Sequence, residues 1–290
     1  MTVATVRRHG LLRHVLHGMT RSVFSTVCLG TLAIIVLMVF VGPWLSPHSY
    51  YATDLNAVLL PPTLVDSHWF GTDELGRDLF VRTMIGGRIS LAVGVVATLV
   101  SLLVGVTWGA TAGFLGGRVD HIMMRIVDLL YAIPFLFFVI LLTVVFGRNI
   151  VLIFIAIGAV NWLDMARIVR GQTLALRQRD FVQAVQIMGA GKARIILRHI
   201  VPNLAGIVVV YTALSIPQII LLESFLSFLG LGVQEPMTSW GALVQQGTAL
   251  METAPWVLLI PSTLLAVTLV TLNFVGDALR DALDPQDSRR

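Results

Sequence analysis

The sequence predicts an all-α integral membrane protein of six transmembrane helices, and three observations predict it. Of its 290 residues 56% are hydrophobic and only 12% charged, about half the charged fraction of an ordinary soluble domain. The apolar residues gather into runs that approach or exceed the ~20 residues needed to cross a bilayer. The basic residues crowd one set of run ends and avoid the other. Mean hydropathy is +0.86. The net charge of +4 comes without a face that interleaves basic and aromatic side chains, so it does not point to nucleic acid. The single cysteine, Cys28, sits inside an apolar run, which leaves no disulfide framework.

Residues 1–21 form a basic, histidine-containing lead, read as a short amphipathic helix on the membrane surface. The run 22–42 follows Arg7, Arg8, Arg13 and Arg21 as a signal peptide would. It is too long, and "GPWLSP" follows it where a small-residue cleavage site should be, so it is expected to remain as an anchor. Residues 43–88 are rich in Pro and Asp and flanked by Trp44 and Trp69, which suit an interface. Further runs fall at 89–115, 128–147, 201–228 and 254–276. The run 149–163 is short between Arg148 and Asp164, and spans only if its helix carries Asp164 and Arg167 into the far interface. Of the 20 lysines and arginines, only Arg77, Arg82, Arg88 and Arg148 fall on the second side. Basic residues concentrate in the cytoplasm, so both termini are expected inside. The domain plan is then a cytoplasmic lead 1–21, an anchor 22–42, an external segment 43–88, a core 89–280 and a cytoplasmic tail 281–290. Within the core lie a cytoplasmic loop, 164–200, and an external element, 229–253, that carries no basic residue.

The loop contains "QIMGAGKARIILR" (186–198), which has the look of a phosphate-binding loop. Such a loop needs a second Gly-Lys preceded by a glycine five positions back and followed by a hydroxyl. Gly191-Lys192 supplies the pair, but Gln186 and Ala193 occupy the other two positions. The preceding residues place Phe181, Val185 and Met188 at helical spacing and show no strand alternation. The loop therefore reads as helix, glycine turn, helix. Asp180 is expected to cap a helix running through Met188, Gly189 and Gly191 to allow left-handed backbone, and a second helix, Lys192 to Ile200, to stop at Pro202. The Phe181/Val185/Met188 face either lies in the headgroups or docks into a groove on a partner protein.

Few other residues carry a chemical signal. Glu223 is the only carboxylate well inside a span, where an ionisable group typically costs about 2.5–3.5 kcal/mol. It is either an outer-gate residue near substrate or a structural interhelical hydrogen-bond partner. Arg125 and Asp128 are spaced for a local pair. "GTDELGRD" carries Asp73, Glu74, Arg77 and Asp78 just ahead of the second span, and by charge alone could be a solvated turn. The seven histidines show no metal-ligand spacing. No nucleophile with a base stands at bilayer depth, which argues against an intramembrane enzyme.

The segment "RDFVQAVQIMGAGKARIILRHIVPN" resembles the cytoplasmic signature of binding-protein-dependent ABC importer permeases: Glu-Ala-Ala, then Gly, then a distant Leu-Pro. Gln183, Ala184, Val185, Gly189 and Pro202 occupy the matching positions, with Gln183 in place of the glutamate and Val185 in place of the second alanine. "FGTDELGRDLFVRTMIGGRISL" (70–91), "RIVDLLYAIP" (125–134) and "LLESFLSFLGLGVQEPMTSWG" (221–241) resemble the C-type permease of dipeptide, oligopeptide and nickel importers. The resemblance covers about 65 to 285 and implies the type I ABC importer permease fold in a bacterial or archaeal inner membrane. It implies no cofactor in this chain, with ATP and Mg held by two cytoplasmic ATPase domains, and as further partners a homologous second permease and an external substrate-binding protein. Asp180, Phe181, Gln183, Ala184, Val185, Met188 and Gly189 become the ATPase-coupling interface. In that family the element carrying Asp73, Arg77 and Asp78 lies on the external side near the gate; these three are candidate gate or path residues, as is Glu223 on the first of its two readings. The competing reading is a secondary transporter or channel acting alone, which leaves the helical loop unexplained.

Overall fold

The computed structural model describes residues 22–64, 66–147 and 149–283, the side chains of Ile150 and Ile153 excepted. The lead 1–21 and most of the tail fall outside the described residues. Among the described residues ten α-helices follow in order: α1 Val23–Leu45, α2 Leu79–Leu115, α3 Gly117–Tyr131, α4 Phe135–Phe146, α5 Ile150–Arg177, α6 Asp180–Ile187, α7 Lys192–Ile195, α8 Val201–Phe228, α9 Trp240–Ala249 and α10 Pro255–Leu283. A π-helical turn, Ile196–Ile200, joins α7 to α8. No strand appears among the described residues, where Thr72 and Asp78 make one isolated bridge.

Among the described residues four helices are long and apolar enough to cross a membrane: α1, α2, the continuous helix Lys192–Phe228, and α10. The α3–α4 pair makes a fifth if its two bent halves are one crossing. The sixth expected crossing, 149–163, forms the first half of α5, which is not among those helices. The expected run 128–147 is broken by a 78° bend. Pro134 is the cause, since a proline fixes its own φ and keeps the residue before it out of helical backbone. Helix α2 also starts earlier than its apolar run: Leu79–Arg88, expected as loop, is already helical.

The chain divides into two compact units, residues 1–88 with 246–290 and residues 89–245. In the first, α1 packs along α10, with Phe24 and Phe274 edge to face at 4.6 Å. Pro43 lies inside α1 and cannot donate to the carbonyl of Val39, four residues back. Arg88 fills the gap: its Nε donates to the Val39 carbonyl at 2.9 Å and its Nη2 to that of Phe40 at 2.7 Å.

In the second unit α2 crosses α5 at close range. A β-carbon on Gly109 would stand 2.4 Å from the Ala166 carbonyl oxygen, and one on Gly105 or Gly113 would also meet α5 below 3 Å. Glycines four apart share one helix face, so the backbones touch along a strip. Around it, Val106, Ala110 and Phe114 of α2, Met165 and Val169 of α5 and Leu204 and Val208 of α8 form one apolar cluster. A second gathers Val93, Ala97, Val139, Ile157, Ile219 and Leu226.

Gly109→Ala should destabilise this unit by about 1–3 kcal/mol, the usual range for overpacking. Gly171→Ala on α5, where a β-carbon meets nothing within 4 Å, should be neutral or stabilise by up to about 1 kcal/mol from helix propensity. Thermal melting of the two purified variants in detergent compares them directly.

Candidate functional site

The loop 164–200 carries a short helix packed on one side and exposed on the other. Helix α6 is one short element whose root is inside the protein. Val182 is 0% exposed and joins the cluster of α2, α5 and α8, with Ile195 beside it and Val185 and Ala190 packed against it. Full burial of a side chain of this size stabilises by about 1.5–3 kcal/mol. The opposite side is bare: Ile187 is 87% and Met188 76% exposed, and Phe181 is 41% exposed. The expected Phe181/Val185/Met188 face is therefore split. Val185 turns inward with Val182, while Phe181, Ala184, Ile187 and Met188 look outward. Sequence reading missed Val182 and Ile187, although the 182/185 and 184/187/188 spacings mark two opposed apolar sides.

Asp180 begins the helix rather than capping it. Arg179 holds the cap position in extended backbone, and no side chain bonds the free N–H groups. Asp180 is in the first turn, where a carboxylate complements the positive end of the helix. At the other end the glycine turn is as expected for Gly189, at φ +80°. Its N–H donates to the Gln186 carbonyl, and that of Ala190 reaches back to Val185 at 3.3 Å. These two nested bonds satisfy carbonyls that a helix end leaves open. Gly191 is not left-handed; at φ −63° and ψ 145° it caps α7. Gln183 donates from its amide to the Gln178 carbonyl at 3.2 Å and lines a 510 Å³ groove with Leu174, Arg177, Gln178, Gln186 and Ile187.

Pro202 does not end the second helix. The chain passes through the π-helical turn, where the Val201 N–H bonds the Ile196 carbonyl, and continues as α8. Asn203 supports the junction by donating its side-chain amide to the His199 carbonyl at 2.6 Å.

Glu223 is completely buried on α8 and held by serines. Ser227 Oγ donates to its Oε1 at 2.7 Å and Ser90 Oγ to its Oε2 at 2.9 Å. Ser239 is a further side-chain partner. Each of these hydroxyls also accepts a backbone N–H: Val233 on Ser227, Trp240 on Ser90 and Ala242 on Ser239. The carboxyl thus fixes three points along 233–242 through one relay. Gly241 belongs to the same arrangement, since a β-carbon there would stand 2.3 Å from the Ser224 carbonyl oxygen.

"GTDELGRD" is not a solvated turn. Asp73, Arg77 and Asp78 are all buried. Asp73 Oδ1 accepts the N–H groups of Leu75 and Arg77, and its Oδ2 accepts from Arg77 Nε at 2.7 Å with Arg82 Nε at 3.4 Å. Asp78 Oδ1 accepts the Val81 N–H at the start of α2, and Oδ2 lies 2.9 Å from His68 Nδ1. Gly76, at φ +70°, lies against Asp54, whose carbonyl oxygen a β-carbon there would strike at 1.8 Å. These groups hold their own segment in shape.

The expected Arg125–Asp128 pair is replaced by pairs between α3 and α5. Arg167 donates to Asp128 at 2.9 Å, Arg170 grips Asp120 with two bonds of 2.5 and 2.6 Å, and Tyr131 donates to Asp164 at 3.0 Å. Each acid is met by a partner from the neighbouring helix, which periodicity along one helix cannot reveal.

Glu223→Ala would leave several buried hydroxyls without their acceptor, at about 1–3 kcal/mol for an unmet buried group. Its melting temperature should fall clearly below that of Glu223→Gln, whose amide oxygen still accepts.

A family model described as "Binding-protein-dependent transport system inner membrane component" matches residues 105–287. One described as "N-terminal TM domain of oligopeptide transport permease C" matches residues 10–62. The chain is 56% identical over 256 residues to the oligopeptide transport system permease protein OppC of Escherichia coli, covering 88% of this chain and 85% of that protein. It is 54% identical to OppC of Haemophilus influenzae, covering 88% and 82%. It is 46% identical to the dipeptide transport system permease protein DppC of Bacillus subtilis, covering 88% and 79%.

Proposed function

The chain belongs to the family of inner-membrane components of binding-protein-dependent transport systems, and from that premise we propose that it forms the path for oligopeptides or dipeptides across an inner membrane. It is an integral membrane permease, a non-catalytic subunit, and a transporter acting alone is not favoured. In our reading two cytoplasmic ATPase domains bind ATP and Mg, a homologous permease completes the path, and an external binding protein delivers cargo. The positive-inside bias supports cytoplasmic termini, with 164–200 on the ATPase side and 43–88 and 229–253 on the outside.

The observation that carries the proposal is α6: a helix rooted by Val182 in the core and bare on its outer apolar side. Its N-terminal Asp180, the outward Phe181, Ala184, Ile187 and Met188, the polar Gln183 and the Gly189 turn make a surface that an ATPase groove can seat. Val185 serves the coupling by anchoring the helix. A rigid projection moves as its partner moves, and the partner shifts the permease between states only by binding them unequally. Glu223, Asp73, Arg77 and Asp78 are read as the frame of the outer elements, which they brace without touching cargo. The domain plan of lead, anchor, external segment, core and tail stands as part of the same proposal.

A charge at Ile187 or Met188 tests it without disturbing the core, whereas one at Val185 would also unseat α6. In vesicles reconstituted with all subunits, Ile187→Asp/Met188→Asp should abolish most uptake while the melting temperature of the permease stays unchanged. ATP hydrolysis should no longer rise with loaded binding protein. Unchanged uptake by that double variant would remove the coupling role of α6.

A further inference from the structure

We propose that His48, His68 and Asp78 bind a borderline divalent cation, Zn²⁺ foremost, that ties together separate stretches of 46–78. One donor atom from each lies within 4.8 Å of the others. His68 Nδ1 is 2.9 Å from Asp78 Oδ2, close to the ~3.3 Å edge of a tetrahedral site with metal–ligand bonds of about 2.0–2.1 Å. The His48 ring stacks on that of His68, 4.1 Å between centroids. His68 and Asp78 are buried, while His48 is half-buried and gives a cation a way in.

The surrounding bonds orient the donors. Asp78 Oδ1 is occupied by the Val81 N–H at 2.8 Å, which leaves Oδ2 directed at His68. His48 Nε2 is 3.1 Å from the Asp66 carbonyl oxygen. A carbonyl only accepts, so Nε2 carries the proton and Nδ1 the lone pair. Outer contacts of this sort fix the tautomer of a metal-bound imidazole. On binding, the proton between His68 Nδ1 and Asp78 Oδ2 passes to solvent while Nε2 of the same ring takes one up, so that a neutral Nε2–H imidazole and an ionised carboxylate each offer the cation a lone pair. His48 turns from face-on stacking to edge-on to supply the third. Two imidazoles and one carboxylate suit Zn²⁺, Ni²⁺ or Cu²⁺ and disfavour Mg²⁺ and Ca²⁺. Nothing in the path or coupling assignments uses His48 or His68.

The test uses the full chain purified in detergent with its partner subunits, on a histidine-free tag. His9, His14 and His17 are replaced by alanine so that the lead adds no imidazole. After chelator treatment, calorimetric titration with ZnCl₂ should show one equivalent per chain, beyond the zinc taken up by partner subunits titrated without it. His48→Ala, His48→Gln and His68→Ala should each weaken that event by about tenfold or more. Zinc should raise the melting temperature of the parent and not of the variants. His48→Gln keeps a donor for the Asp66 carbonyl, and its metal-free melting temperature checks that the segment still folds. Absence of the event in the parent, full retention in His48→Gln, or an equal response to MgCl₂ overturns the proposal.

Discussion

A proline in a long apolar helix removes an N–H where no water stands ready to replace it, and much of this structure is shaped by where the freed carbonyls turn. Lipid leaves backbone polar groups to be satisfied from within the protein. Three prolines receive three different answers here. At Pro43 a side chain intervenes, with Arg88 donating to the carbonyls of Val39 and Phe40. Before Pro202 the backbone itself changes pitch, through the turn Ile196–Ile200. At Pro134 the helix gives way, and α3 and α4 part at 78°. The first two answers keep a helix continuous; the third redirects the chain.

The buried charges obey the same demand. Glu223 and Asp73 are both enclosed, and each carboxylate accepts several donors from its own unit. Partnered this fully, a buried carboxylate organises the loops around it. Helix α6 shows the opposite balance. Its apolar outer side has no cover among the described residues, and that surface is what the coupling proposal rests on.

Periodicity and composition made the helical class, the apolar runs and the loop helix legible, and Gly189 announced its turn because few other residues adopt its backbone. What stayed hidden was tertiary. A single helix pattern could not show that Val182 belongs to the core while Ile187 does not, because both are aliphatic. Asp128 has an arginine three residues before it in sequence, yet its partner comes from α5. The burial of "GTDELGRD" was equally unreadable, since four charges in eight residues look solvated until their donors are known. The Pro202 prediction failed because a stop rule ignores the option of widening one turn.

The helix from Lys192 to Phe228 extends over 37 residues, about 55 Å at 1.5 Å per residue. The glycine turn after α6 opens directly into one end of it, and the serine-held Glu223 sits close to the other. Pivoting such a rod by about five degrees around its midpoint displaces both tips by roughly 2.4 Å, in opposite senses. That exceeds the slack of a hydrogen bond. The relay that grips 233–242 must therefore travel with the rod or let go of it.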